Sequence, residues 1–373
     1  MNASPIRIMY MALELSNKEW KLAFTCRGGS VRVRAIPARQ ISRLLAEIRQ
    51  AKAKQGLPDE AVVRSCYEAG RDGFWLHRCL EKNGLENLVV DSASIEVNRR
   101  LRRAKTDRLD ARSLAAGLLR HWEETTGRSH WSVVRVPTEA EEDARRPRRE
   151  TDRLTEEQTA HLARIRSLLC LHGVVLKRIT RPALEQVTDW AGRELPTGVR
   201  EEVFRELTRL EQVREQLKAL VEEQTQALEK SANAGCQAAK KLMQVKSLGQ
   251  ATAVTLAYEF FGWRDFRNRR QVGACAGLTG TPYDSGGQRR EQGISKAGNR
   301  RIRYTMIEQA WRWLKWQPES EMAQWYRRRF GGGGVRMRRI GIVALARKLL
   351  VALWKYVTFD VVPGGAILKQ AAA

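Results

Sequence analysis

The sequence is poor in histidine: 5 occur in 373 residues, and none follows His172. A Ser-His-Asp triad within the C-terminal half is therefore excluded. Its six cysteines, Cys26, Cys66, Cys79, Cys170, Cys236 and Cys275, are scattered and form no C-x-x-C pair. Neither a zinc ribbon nor a disulfide framework is indicated, and a reducing cytoplasm fits. Long apolar runs are also lacking. Arg7 and Glu14 interrupt the early apolar residues, so no signal peptide is read at the start. The most apolar late stretch, Ile340 to Val357, is broken by Arg347, Lys348 and Lys355, which excludes a membrane partner there. Glycine is nearly absent from Glu139 to Lys230, a stretch dominated by charged residues.

What is abundant is positive charge. Lys and Arg number 67 against 42 Asp and Glu, a formal balance of +25. Such a charge repels itself in the folded state, and a polyanion is its natural partner. With 43% apolar residues the chain is no basic tail. It can bury two or three cores, so a nucleic-acid-binding globular protein is expected. The plain alternative is a merely basic soluble protein.

The first residues read as three short strands, Ile6 to Leu15, Glu19 to Cys26 and Val31 to Ile36, parted by Ser16-Asn17 and Gly28-Gly29. Close spacing with turn residues predicts antiparallel hairpins. Ile41 to Lys54 has helical periodicity. Ala61 to Tyr67 reads as a strand, Phe74 to Lys82 as a helix, Asn87 to Val90 as a strand and Arg103 to Leu119 as a helix. This order is that of an α/β RNase H-like domain, expected over residues 1–137. From 138 to 232 two long helices are predicted, broken near Leu195-Pro196-Thr197-Gly198. Leu207, Leu210, Val213, Leu217 and Leu220 form an a/d-type seam. That helical coiled-coil arm is read as a dimerisation element, with a hairpin packed on its own chain as the alternative. Residues 233–373 form a third, mainly α domain rich in Gly, Arg and Trp. Gly331 to Gly334 reads as a flexible linker or hinge, and the residues from Gly364 as frayed.

Four acids stand out. Glu14 ends the first strand and Glu68 the fourth; in an RNase H-like sheet these strands are neighbours. Asp107 and Asp110 lie one helical turn apart. Converging carboxylates repel unless a hard cation sits between them, and Mg²⁺ prefers such oxygen ligands. Two such ions stabilise the attacking and leaving oxygens of a phosphoryl transfer. The bland alternatives are a solvated helix face paired with Arg103, Arg108 and Arg112, and a strand-end turn at Glu68.

In the third domain, Tyr283-Asp284-Ser285-Gly286-Gly287 precedes Arg289 and Arg290. Gly293-Ile294-Ser295-Lys296-Ala297-Gly298-Asn299 precedes Arg300, Arg301 and Arg303. A serine beside glycines leaves room for close approach of a phosphate, and the cations Arg289, Arg290, Lys296, Arg300, Arg301 and Arg303 would neutralise it. Ser285 is thus a candidate nucleophile. The alternative is a loop that only contacts phosphate. Upstream, Val245 to Ala253 reads as a turn between two helices.

Together these motifs resemble one family, the DEDD transposases of the insertion-sequence 110 family, 1111-type branch. The resemblance spans nearly the whole chain. It rests on Cys66-Tyr67-Glu68-Ala69-Gly70, Lys105-Thr106-Asp107-Arg108-Leu109-Asp110-Ala111, Gly277-Leu278, Ser285-Gly286-Gly287, Gly293 to Asn299 and the ALARKL segment Ala344 to Leu349. It implies a RuvC-like N-terminal domain whose carboxylates Glu14, Glu68, Asp107 and Asp110 bind Mg²⁺, and a C-terminal transposase domain. There Ser285 would attack DNA to form a phosphoserine intermediate. It further implies a structured guide RNA encoded by the element, pairing with target and donor DNA. A homo-oligomer is implied too, a dimer or a tetramer in the synaptic complex, in a bacterial, nucleoid-associated setting. Glu14 stands where the family's first acid is an Asp, one methylene shorter, and Ser247 stands where glycine is usual. Two rival readings remain at this point: a RuvC-like nuclease using metal-activated water alone, and a non-catalytic nucleic-acid-binding scaffold.

Overall fold

The computed structural model describes residues 8–70, 73–95, 107–123, 131–285 and 288–369; the side chains of residues 93, 107–108, 282–285 and 288–292 lie outside this description. Two compact units divide the chain, within 1–137 and 138–373.

The first unit is built on a five-stranded sheet. Strands β1 (Met9–Glu14), β2 (Glu19–Thr25) and β3 (Arg32–Pro37) form an antiparallel meander. Strands β4 (Val63–Glu68) and β5 (Glu86–Val90) add in parallel on the other side of β1, in the order β3-β2-β1-β4-β5. The crossovers from β3 to β4 and from β4 to β5 pass through helices α1 (Ile41–Lys54) and α2 (Trp75–Lys82). A parallel pair needs such a crossover because no tight turn can join its ends.

The central strands are apolar on both sides because both sides are covered. Met9, Met11, Leu13, Trp20, Leu22, Phe24 and Tyr67 pack with Leu44 and Ile48 of α1 and Leu76 and Leu80 of α2. On the opposite face Tyr10, Ala12, Ala23 and Cys66 pack with Ala111, Leu114, Ala115 and Leu118 of α3 (Asp107–Glu123). Burial pushes the Cys66 thiol up, out of the range where a thiolate nucleophile forms.

The second unit opens with α4 (Glu139–Asp143), started by a capping box in which Thr138 and Glu141 satisfy each other's backbone amides. Helices α5 (Arg146–Cys170) and α7 (Thr197–Lys230) follow, separated by the short α6 (Arg181–Glu185). They pair within the chain. Leu207 and Leu210 of the predicted seam are buried against Ile165 and Leu169, so the partner of this seam is α5 of the same molecule. Leu217 and Leu220, further along, remain only half-buried. Arm and helical domain belong to one unit rather than two.

The rest is a helical core: α8 (Ala234–Met243), α9 (Gln250–Leu256), α10 (Arg269–Cys275), α11 (Arg300–Trp316), α12 (Glu321–Tyr326) and α13 (Val335–Phe359). Trp313, Met306, Phe260, Leu345, Leu349 and Leu353 are among its buried members. A two-stranded hairpin, β6 (Gly280–Ser285) and β7 (Gln288–Ile294), stands between α10 and α11.

Two expectations are corrected here. The four-glycine run is a tight reversal before α13: the Gly333 amide donates to the Phe330 carbonyl, and an added Cβ at Gly333 would lie 2.7 Å from the Met337 Cβ. Close packing, not freedom, accounts for that glycine. The segment from Gly364 is not frayed over its described part. Lys246 donates to the Ile367 carbonyl, Ile367 to Gln317 Oε1 and Lys369 to the Gln244 carbonyl.

Candidate active site

The carboxylates of the first unit are placed by strand alternation. Leu13 and Tyr67 point to the α1–α2 face, so the next residues, Glu14 and Glu68, point to the α3 face. Strands β1 and β4 are hydrogen-bonded in parallel with Leu13 opposite Tyr67, so these two glutamates stand side by side at adjoining carboxyl ends. Both line a cleft of about 340 Å³ with Ala69, Gly70 and Gly73.

Helix α3 brings a third acid toward this end. Its last turn is anchored at the opposite end of the strands. The Arg64 guanidinium, near the start of β4, lies 3.8 Å from the centre of the Trp122 ring, and Arg27, just past β2, pairs with Glu123 at 3.3 Å. The helix therefore runs antiparallel to β1 and β4. Asp110 lies about 18 Å back along the helix from Trp122, while Glu68 lies about 13 Å along the strand from Arg64. Asp110, half-buried in the first turn, thus falls on the same side of the sheet as Glu14 and Glu68. Asp107 opens the same helix, and its side chain lies outside the described residues. Among the described residues, no group of three or more His, Cys, Asp or Glu side chains converges closely enough to hold a metal. The described set is thus two adjoining carboxylates, with Asp110 on the same face.

In the second unit, Ser285 ends β6 and pairs with Gln288, at the end of the hairpin remote from the core. The side chains of Ser285, Arg289 and Arg290 lie outside the described ones; register sets Arg289 opposite Asp284 and Arg290 opposite Tyr283. The hairpin's base is fixed by the glycine motifs. Gly277 (φ 65°) and Gly298 (φ 96°) adopt left-handed backbone. A Cβ would meet the Ala297 carbonyl oxygen at 2.1 Å from Gly277, and the Cys275 carbonyl oxygen at 2.3 Å from Gly298. Asn299 caps α11, its side chain accepting from the amides of Arg301 and Ile302. The Gly-Asn pair of the motif is thus explained by packing and capping.

The predicted basic residues divide. Lys296 and Arg300 are exposed, and Lys296 itself has φ 56°. Arg301 is engaged by the protein, paired with Asp152 and donating to the Arg148 carbonyl at 3.1 Å. Arg303 donates to the Ala276 carbonyl at 3.1 Å. These two arginines brace the hairpin's base against α5 and α10. Arg301 belongs to a larger ionic junction under the arm. There Arg148 pairs with Asp152, and Arg149 grips Glu259 through both carboxylate oxygens, at 2.5 and 2.8 Å. Glu259 lies in a single π-helical turn, Ala257–Phe261, and is 2% exposed.

Sequence reading gave no binding role to Arg269, Arg270 or Lys355, which line a separate cleft with Arg347 and Lys348 of the ALARKL segment. The available signal was helical spacing: Arg347, Val351 and Lys355 recur every four residues along α13.

Comparison with known proteins defines the class. Residues 239–326 match the family model described as Transposase IS116/IS110/IS902 family. The chain is 42% identical over 381 residues to the putative transposase y4rJ of Sinorhizobium fredii (strain NBRC 101917 / NGR234), covering 97% of this chain and 94% of that protein. It is 26% identical over 259 residues to the transposase for insertion sequence element IS1328 of Yersinia enterocolitica (68% and 72% covered). It is 27% identical over 216 residues to the transposase for insertion sequence element IS1111A of Coxiella burnetii (55% and 54% covered). These relatives are transposases, a class of enzymes that cleave and rejoin DNA. The chain belongs to the IS116/IS110/IS902 family of transposases. No helix among the described residues is long and apolar enough to cross a membrane.

Proposed function

We propose that this transposase moves its own element by strand exchange through two sites, a carboxylate site in the first unit and the serine Ser285 in the second. The observation that bears most weight is the adjacency of Glu14 and Glu68 on hydrogen-bonded parallel strands, facing one cleft. An RNase H-like (RuvC-like) assignment of the first unit is supported by its strand order, β3-β2-β1-β4-β5, with a helix over the carboxylate-bearing face.

The donor set suits Mg²⁺: oxygen atoms only, from Glu14 and Glu68, with Asp110 and Asp107 on the neighbouring helix. Mg²⁺ is commonly held by one or two carboxylates and completes its shell with water and substrate phosphate. When bound, it would stabilise charge on the attacking and leaving oxygens. The chain's own groups have simpler tasks. The glutamates fix position and keep the cleft anionic until a cation and a phosphate arrive together. In this reading Ser285, whose backbone ends a two-stranded ribbon and which is followed in sequence by Arg289 and Arg290, acts on a phosphate. Its oxygen attacks a phosphodiester phosphorus, its proton passes to the departing deoxyribose oxygen, and a phosphoserine link replaces the broken bond. Reversal by a different strand's hydroxyl rejoins DNA.

Specificity in this reading comes from a structured guide RNA. What supports it is the family resemblance of the motifs; the net charge of +25 suits a polyanionic partner. The complex is a homo-oligomer, so that both sites serve one DNA crossover. The experiment is covalent trapping on element-end DNA. Wild type forms an adduct and Ser285→Ala forms none, while Glu68→Ala loses cleavage. An active Ser285→Ala variant with intact metal dependence would leave a water-using nuclease instead. Full DNA-dependent activity in Glu68→Ala and Asp110→Ala would leave a scaffold.

A further inference from the structure

The helical core holds a cleft of about 730 Å³, far from the glutamate site in sequence and assigned no role above. Arg269 and Arg270 of α10, with Arg347, Lys348 and Lys355 of α13, line it against a single acid, Glu321. All five cations are exposed, and none forms an ion pair among the described residues. In the same unit Arg148, Arg149, Arg209 and Arg181 are by contrast paired, with Asp152, Glu259, Glu206 and Glu211. Unpaired like charges gathered in one concavity repel one another and focus a positive field that attracts a polyanion.

The shape narrows the ligand. Val351, Ala352 and Pro363 supply apolar wall, and Thr279 a hydroxyl. Among the described residues no aromatic side chain lines the cleft, so none there offers the stacking platform that single-strand binders use to hold bases. Lys348 is instead poised over the Trp325 ring, 4.6 Å from its centre, which preorganises the ammonium. Cations two turns apart along α13, an apolar wall for sugars and, among the described residues, no platform for bases describe a track for a phosphodiester backbone. We infer that this cleft grips the backbone of the DNA on which the enzyme acts, without reading its sequence, and that it is distinct from the Ser285 hairpin. Thr279, on its rim, immediately precedes β6. The gripped segment and Ser285 therefore lie at the two ends of one strand, about 20 Å apart, or about six stacked nucleotides. This inference rests on the chain being a DNA-handling transposase and on nothing else in the proposed mechanism.

The test is equilibrium binding of a labelled 30-base-pair duplex by the full chain across a salt series. Arg347→Gln with Lys355→Gln removes two cations from exposed positions. If each neutralises a phosphate, the slope of log affinity against log salt falls by about 1.8, and binding at 0.1 M salt weakens about 60-fold. Lys177→Gln with Arg178→Gln, exposed cations of the arm's connecting loop, removes the same charge and serves as control. A slope change in the cleft pair and not in the control supports the inference. Equal losses in both pairs, or none in the cleft pair, overturn it. A matched RNA that binds more tightly than the duplex and loses more on the same substitutions overturns the assignment to DNA. If wild type binds neither, the nucleic-acid reading falls with it, whereas failure of Ser285 trapping leaves this result unaffected.

Discussion

The ionic junction beneath the arm makes an asymmetric prediction. Arg149 and Glu259 share two hydrogen bonds, yet their surroundings differ: the arginine side chain is 54% exposed and the glutamate 2%. Arg149→Ala strands a carboxylate in the core. Removing one partner of a buried pair costs about 3–5 kcal/mol. Arg145, whose charge also acts on Glu259, brings the expectation to about 3 kcal/mol. Glu259→Gln keeps the shape and one acceptor, and frees a guanidinium already half in water, so about 1 kcal/mol is expected. With an m-value of about 2 kcal/mol per molar urea, the two midpoints fall by about 1.5 M and 0.5 M. Hydrogen exchange of amides in 250–261 identifies which unfolding transition belongs to this unit. Equal shifts, or a larger one for Glu259→Gln, would refute the premise that burial of the acid dominates the junction.

Three further outcomes follow from particular residues. Glu68→Ala and Glu14→Gln should abolish Mg²⁺-dependent strand cleavage, and Glu68→Ala, at an exposed position, should move the melting temperature little, since surface changes cost within about 0.5 kcal/mol; Glu14→Asp should retain part of the cleavage. Gly298→Ala should destabilise the second unit by at least about 1–3 kcal/mol, because its backbone is left-handed and the Cys275 carbonyl blocks a Cβ; an unchanged urea midpoint would contradict it. In the arm, the His161 imidazole and then Arg164 hold the buried Glu206 carboxyl below the usual carboxylate range. A depressed folded value means the contribution is full above the unfolded pKa and is lost as pH falls through the folded one. Acid should therefore loosen α5 from α7, and Glu206→Gln should flatten that acid limb in a pH series of unfolding midpoints.

The legible parts of this molecule were those where neighbours in sequence are neighbours in space. Ile41–Lys54 is a helix at the residues its periodicity indicates, and β1, β2 and β4 follow from runs such as Met9–Leu13. The adjacency of Glu14 and Glu68 needed one added step, the pairing of β1 with β4 across an intervening helix. Pattern alone could not say which surface fills a seam: Leu207 and Leu210 suit a second chain as well as α5, and α5 occupies them. Nor could it find the Arg149–Glu259 pair or the clustering of Arg269 with Lys355, where the partners lie far apart in the chain. Glycine misled at Gly333, because an absent side chain signals close approach as readily as mobility.

The hairpin that ends at Ser285 is a lever arm. Its root is locked by Gly277, Gly298 and the Arg303 contact to the Ala276 carbonyl, and its length is about 20 Å. A rotation of about 3° at that root sweeps the tip through about 1 Å, and misplacement on that scale is enough to slow a reaction about a hundredfold. On the proposed role of Ser285, rate should thus be set by stiffness at the root as much as by chemistry at the tip. Mild substitutions around Cys275 and Ala276 would then act as throttles on a reaction they never touch.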